Sequence, residues 1–164
     1  MAQPLRKRIE GRSLLVAAAA GLGFAMTEMV IEAVLGKGFW APLRFIASFF
    51  TVGRDTDPSF SLGPVIVGVA GHMTESVVLG LVFIVLIGRI AHGAIGLVLT
   101  GIVYGAVLFA ASWFVVLPPV DPAMRLLNGP GFLVSHLMFG LLLGLGTWLA
   151  WERVVEADRV AALR

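Results

Sequence analysis

The sequence predicts an all-α membrane protein, a four-transmembrane-helix bundle, and three observations carry that prediction. The 164 residues are 59% hydrophobic and 13% charged, with mean hydropathy +0.96, whereas a soluble domain carries about 25% charged residues. Four apolar runs are each long enough to cross a ~30 Å hydrocarbon core as a helix rising ~1.5 Å per residue. All the prolines but Pro64, and most charged residues, fall between those runs or outside them.

Composition also excludes several function classes. The chain has no cysteine, so it has no disulfide, thiolate metal site, Cys-ligated cluster or Cys nucleophile. Its net charge of +2 is small, and the basic residues are spread over both ends and the loops, which argues for no nucleic acid partner. The glycine pairs are embedded in apolar runs without the lysine of a nucleotide-binding loop. Ser76 and Ser135 each stand one residue from a potential partner, Glu75 and His136, and adjacent helical positions do not face each other, so no serine triad is expected.

The elements follow in order as a single transmembrane domain, residues 1–164. The first span is expected over 13–36, preceded by a polar, basic N-terminus and read as a retained helix, since the run is too long for a signal-peptide core. Ala17 to Ala20, Gly21 and Gly23 in it permit close helix contact. Between spans 1 and 2, Phe39, Trp40, Leu43, Ile46, Phe49 and Phe50 recur at helical spacing around Arg44 and Ser48. They predict a short amphipathic interfacial helix over about 39–51, with a re-entrant segment as the alternative. A polar turn at Arg54-Asp55-Thr56-Asp57-Pro58 follows. The second span is expected over 62–88, with Pro64 tolerated in its first turn. A tight turn holding Arg89 and a solvated His92 leads to the third span, 94–117, which Pro118 and Pro119 end. Asp121-Pro122 reads as the start of a short helical piece that Asn128-Gly129 closes. The fourth span is 131–151, and Glu152 to Arg164 is a short polar tail.

Loop charge predicts orientation. Arg6, Lys7, Arg8, Arg12, Arg89, Arg153, Arg159 and Arg164 share one face, and only Lys37, Arg44, Arg54 and Arg125 the other. The richer face is expected in the cytoplasm, with both termini, in the cell inner (plasma) membrane. Trp40 and Trp113 then fall at the outer interface, Trp148 and Trp151 at the inner one.

An internal echo accompanies this topology. Aligned on the histidines, His72 to Gly80 faces His136 to Gly144, and Gly21 to Phe24 faces Gly101 to Tyr104. Such a repeat would relate two helix pairs by a pseudo-two-fold axis along the membrane normal. The GxxxG pairs Gly101/Gly105 and Gly140/Gly144 suit close helix packing, inside one bundle or between protomers.

Ionisable groups at membrane depth are costly and mark function or pairing. Glu28 and Glu32 share a face of the first span. His72 and Glu75 share a face of the second, and His136 lies in the fourth. All five are expected to face inward in the outer leaflet, with Tyr104 as a potential hydrogen-bond donor. Carboxylates and imidazoles on facing helices suit a metal ion, Fe, Zn or Mn. The order His-x-x-Glu departs from the Glu-x-x-His of dimetal bundles, and the third span brings only Tyr104, Leu108 and Ser112. Alternatively, His72 and His136 could ligate haem b, with Gly68, Gly71 and Gly140 making room for the macrocycle.

Ser135-His-Leu-Met-Phe-Gly140-Leu-Leu-Leu-Gly144 resembles a motif in the last span of small, largely uncharacterised bacterial four-span inner-membrane proteins. The resemblance covers about a tenth of the chain and implies a bacterial inner-membrane location, with no activity attached.

The expected function is therefore an intramembrane His/Glu site that binds a metal ion or haem in a redox or transport role. Two alternatives stand beside it. One is an accessory or structural subunit whose polar cluster only fixes helix packing. The other is a proton or cation pathway in a homo-oligomer. The lipid bilayer is the expected surrounding, with a homo-oligomer or larger membrane complex as potential partner.

Overall fold

The computed structural model describes residues 3–50, 59–88, 90–91 and 93–162, and side chains within 11–50, 59–88, 90–91 and 93–152. The expected turns at Arg54 to Pro58 and at Arg89 and His92 lie outside the described residues. The described chain is helical: α1 Gln3–Val34, α2 Ala41–Phe50, α3 Leu62–Val82, α4 Gly93–Ala110, α5 Leu117–Val120 and α6 Gly129–Ala162. A π-helical turn, Phe83–Ile87, continues α3, and another, Ala111–Val116, joins α4 to α5. A 3-10 turn, Pro122–Leu126, precedes α6.

Four stretches are long and apolar enough to cross a membrane: Gly11–Val34, Leu62–Ile87, Gly93–Val120 and Gly129–Glu152. They match the four predicted spans to within a few residues. The ends differ more. α1 begins at Gln3, before the apolar run, and α6 continues as helix through Ala162, so the polar tail is an extension of the last helix. No proline or glycine after Gly146 interrupts it. Leu22, Ile66, Val103 and Val107 point outward and are exposed, as helices facing hydrocarbon require.

The short helix lies where its periodicity places it, but it is docked rather than loose. Leu43, Phe45 and the aliphatic stem of Arg44 are buried. The helix packs on α3 at Gly68, where a Cβ would collide with the Leu43 carbonyl. Gly36 and Gly38, with φ of 76° and 101°, turn the chain between α1 and α2, a conformation glycine adopts without a Cβ penalty. The loop before α6 departs from expectation. Asn128 caps α6 rather than closing the preceding turn: its Oδ1 accepts from Gly131 N–H at 2.8 Å. Pro130 then sits in the first turn of α6, where its missing N–H is harmless.

α6 is the centre of the bundle, packed along α4 on one side and α1 on the other, while α3 packs on α1 and α2. The α4/α6 approach is backbone-close, because a methyl on Gly101 or Gly140 would strike the other's carbonyl. The GxxxG pairs thus meet each other inside one bundle. The predicted repeat has a counterpart in packing: Gly80 lies against Ala17 and Gly21 against Ser76, while Gly144 lies against Leu97 and Gly101 against Gly140. These pairs are equivalent under the alignment on His72 and His136.

One seam breaks the pattern. α3 and α4 meet chiefly at the end nearer the termini, where the π turn Phe83–Ile87 reaches α4 and Tyr104 Oη donates to Leu79 O at 2.9 Å. Toward the distal end, away from the termini, the two helices part.

Candidate functional site: a distal cavity between α3 and α4

The gap holds a cavity of about 290 Å³, at the lower end of the range for small-molecule pockets. Ile46, Phe49 and Phe50 of α2 roof it. Gly71, Glu75 and Leu79 of α3 and Leu108 and Ser112 of α4 and its π turn form its sides. Phe24, His72, His136 and Phe139 line its depth, and Asp121 and Met124 its distal rim. Pro118 and Pro119 remove two backbone donors just after the π turn that carries Ser112 and Val116, and a widened turn is one way a helix accommodates that loss.

Both histidines are buried and line this cavity. His72 Nε2–H donates to Gly21 O at 2.8 Å, and Ser76 Oγ lies 3.3 Å from the same nitrogen. His136 Nδ1–H donates to Phe132 O at 2.8 Å. Each bond fixes a tautomer, leaving the neutral ring one lone pair, on Nδ1 of His72 and Nε2 of His136. Phe24 touches both rings, with centroids 5.1 Å from His72 and 4.7 Å from His136. A haem ligated by both rings would have to displace that phenyl group, and a bond through His72 Nε2 would break the contact with Gly21.

The carboxylates divide. Glu28 and Glu32 are fully buried on the seam between α1 and α6. Glu28 Oε2 accepts from Ser135 Oγ at 2.6 Å. Glu32 Oε1 accepts the N–H of Asn128 at 2.5 Å, and its Oε2 lies 3.8 Å from Lys37 Nζ, which also donates to Leu126 O. Neither glutamate lines the cavity. Glu75 departs from its expected inward burial: it is exposed at the opening between α3 and α4 and lines the cavity from there. It lies one position, about 100° of helix, from the buried Ser76, so the rotation of α3 about its axis decides which of the two faces the bundle. Tyr104 is buried, donates to α3 and packs against Phe83. Its hydroxyl is a tie between helices below the cavity.

Among the described residues, no group of three or more His, Cys, Asp and Glu is placed to hold a metal ion. The cavity therefore unites His72, His136 and Glu75, and leaves Glu28 and Glu32 apart. Sequence reasoning missed Phe24, Ser76, Ser135 and Asp121. Ser76 carried a legible signal, standing four residues after His72 on the same helical face. Asp121 was legible only as a helix cap. It does cap, with Oδ1 accepting from Ala123 N–H at 3.2 Å, but its buried Oδ2 has no hydrogen-bond partner among the described residues. Comparisons with known proteins add no further constraint: no family model, no curated protein and no solved structure matches the chain.

Proposed function

We propose that this is a multi-pass membrane protein whose distal cavity binds a small amphipathic molecule taken from the lipid between α3 and α4. The observation that carries this reading is the cavity itself. It joins apolar walls to a few polar groups, His72, His136, Ser112 and Glu75, as ligand sites do. It is open in one half of the bundle and closed in the other by Tyr104, Phe83 and Leu79. With the termini in the cytoplasm, as loop charge predicts, the open half is the outer one, and a transport role suits access from one side.

Native mass spectrometry of protein released from detergent tests the reading. Wild type should retain a bound molecule, and Ser112→Phe, which puts a ring into the cavity from its α4 side, should lose it while remaining folded. Identical spectra with no retained mass would overturn the proposal. The same preparation tests the metal or haem reading. A stoichiometric metal, or a Soret band lost in His72→Ala and His136→Ala, would replace the amphipathic ligand by that group.

A second reading applies to the other seam. The bonds of Glu28 to Ser135 and of Glu32 to Asn128 favour a packing role for those carboxylates, since interhelical polar bonds hold membrane helices together.

A further inference from the structure

We infer that the cavity selects an organic cation, a molecule with a positively charged nitrogen or phosphorus centre carried on an apolar body. This assignment deepens the ligand-binding reading above and rests on it. Three features of the lining carry it.

First, the cavity has two carboxylates and no described lysine or arginine in its wall. Glu75 stands at the opening and makes no hydrogen bond or ion pair with a described residue. A carboxylate at membrane depth ordinarily pairs with a cation or a donor, and no described residue supplies one at this place. Second, Asp121 at the distal rim is nine-tenths buried and adds a second carboxylate to the lining, its Oδ2 without a hydrogen-bond partner among the described residues. Third, the apolar part of the lining is aromatic. Phe24, Phe49, Phe50, Phe132 and Phe139 contribute to the wall, and ring faces attract quaternary and aryl cations. The two imidazoles add lone pairs when neutral, so the polar groups of this cavity are predominantly acceptors. An anionic amphiphile would meet like charge at both ends. A neutral one would leave the two charges uncompensated.

Tetraphenylphosphonium and tetraphenylborate have the same shape and opposite charge, and triphenylphosphine oxide is a related neutral molecule. Equilibrium binding of labelled tetraphenylphosphonium to the full chain in nanodiscs, corrected for empty discs, tests the assignment. Saturable binding is expected, weakened tenfold or more in Glu75→Gln and in Asp121→Asn, and competed poorly by the other two compounds. Circular dichroism and elution volume confirm that both variants fold, and Asp121→Ser preserves the cap while removing the charge. Binding that is equal for the three compounds, or unchanged in the charge-neutral variants, would overturn the cation assignment and leave the cavity reading intact. Absence of phosphonium binding, while native mass spectrometry still shows a molecule retained in wild type and lost in Ser112→Phe, would overturn the assignment alone. Absence of both would overturn both.

Discussion

The seam between α1 and α6 and the seam between α3 and α4 occupy equivalent places under the internal repeat, yet one is closed and the other open. Where the closed seam sets Glu28 against Ser135, the equivalent positions of the open seam are Leu108 and Gly71. Where the closed seam sets Glu32 against Asn128, the open one has Ser112 and Pro64. A carboxylate paired across two helices draws them together, because in hydrocarbon the alternative is an unsatisfied polar group. A leucine and a glycine at those positions exert no such directional pull. The lesson is that one helix-pair design yields a structural seam or a cavity according to which residues stand at two or three positions.

The largest test breaks the closed seam. Glu32→Ala leaves the N–H of Asn128 without its acceptor and Lys37 without its ion pair, at the point where the loop from α5 to α6 is fastened. A loss of about 1–3 kcal/mol is expected for an orphaned buried donor, measured by steric trapping in bicelles. Glu75→Ala, its counterpart on the open seam, should change stability by less than about 0.5 kcal/mol, as substitutions away from packed features do. Equal losses at the two positions would refute the contrast.

Accessibility sharpens the comparison. Because the native chain has no cysteine, a single introduced thiol reports its own surroundings. Glu75→Cys should react with a small polar maleimide at least about tenfold faster than Glu28→Cys, since a thiol must be exposed and ionised to react. Applied to intact spheroplasts, the same reagent should reach Glu75→Cys if the distal half faces outward. Labelling only after lysis would reverse the orientation predicted from loop charge.

The bond between Glu28 and Ser135 is the next effect in size. A double-mutant cycle on Glu28→Ala and Ser135→Ala should give a coupling of about 0.6–1.7 kcal/mol, the range of hydrogen bonds between membrane helices. The same cycle on Leu108→Ala and Gly71→Ala should give a smaller value. Transplanting the pair as Leu108→Glu with Gly71→Ser should narrow the open seam and weaken ligand binding. Unaltered binding in that double variant would show that the pair does not govern the gap.

These contrasts mark what the sequence made legible. Helix number, order and spans follow from apolar run length, and the docked helix at Ala41–Phe50 follows from its 3.6-residue periodicity. The positions of Glu28, His72 and His136 along their helices were also legible, since rise per residue fixes them. Rotation about each helix axis was not. Glu75 and Ser76 are neighbours in sequence, yet the serine is buried and the glutamate exposed. Almost wholly apolar helices give little amphipathic asymmetry to decide between them. The partners Ser135 and Asn128 were hidden for a related reason: each bond depends on which face of α6 meets α1, and that is set by the glycine contacts of α6 with α4 on its other side.

Tyr104 supplies the smallest and most local test. It is equivalent to Phe24 in the repeat, and its hydroxyl reaches across the open seam to Leu79 O. That carbonyl also accepts the N–H of Phe83, so Tyr104→Phe orphans no acceptor and should cost only about 0.5 kcal/mol, the low end for a single hydrogen bond. The geometric consequence should be easier to see than the energetic one. Val78 on α3 and Val107 on α4 are both exposed, and spin labels there read the width of the seam. In Tyr104→Phe the distance distribution should shift to longer values, whereas labels spanning α1 and α6 should not move. A distribution identical to wild type would mean that the floor of the cavity is held by the packing of Phe83 against ring 104, which phenylalanine preserves, and that the hydroxyl is dispensable to the opening above it.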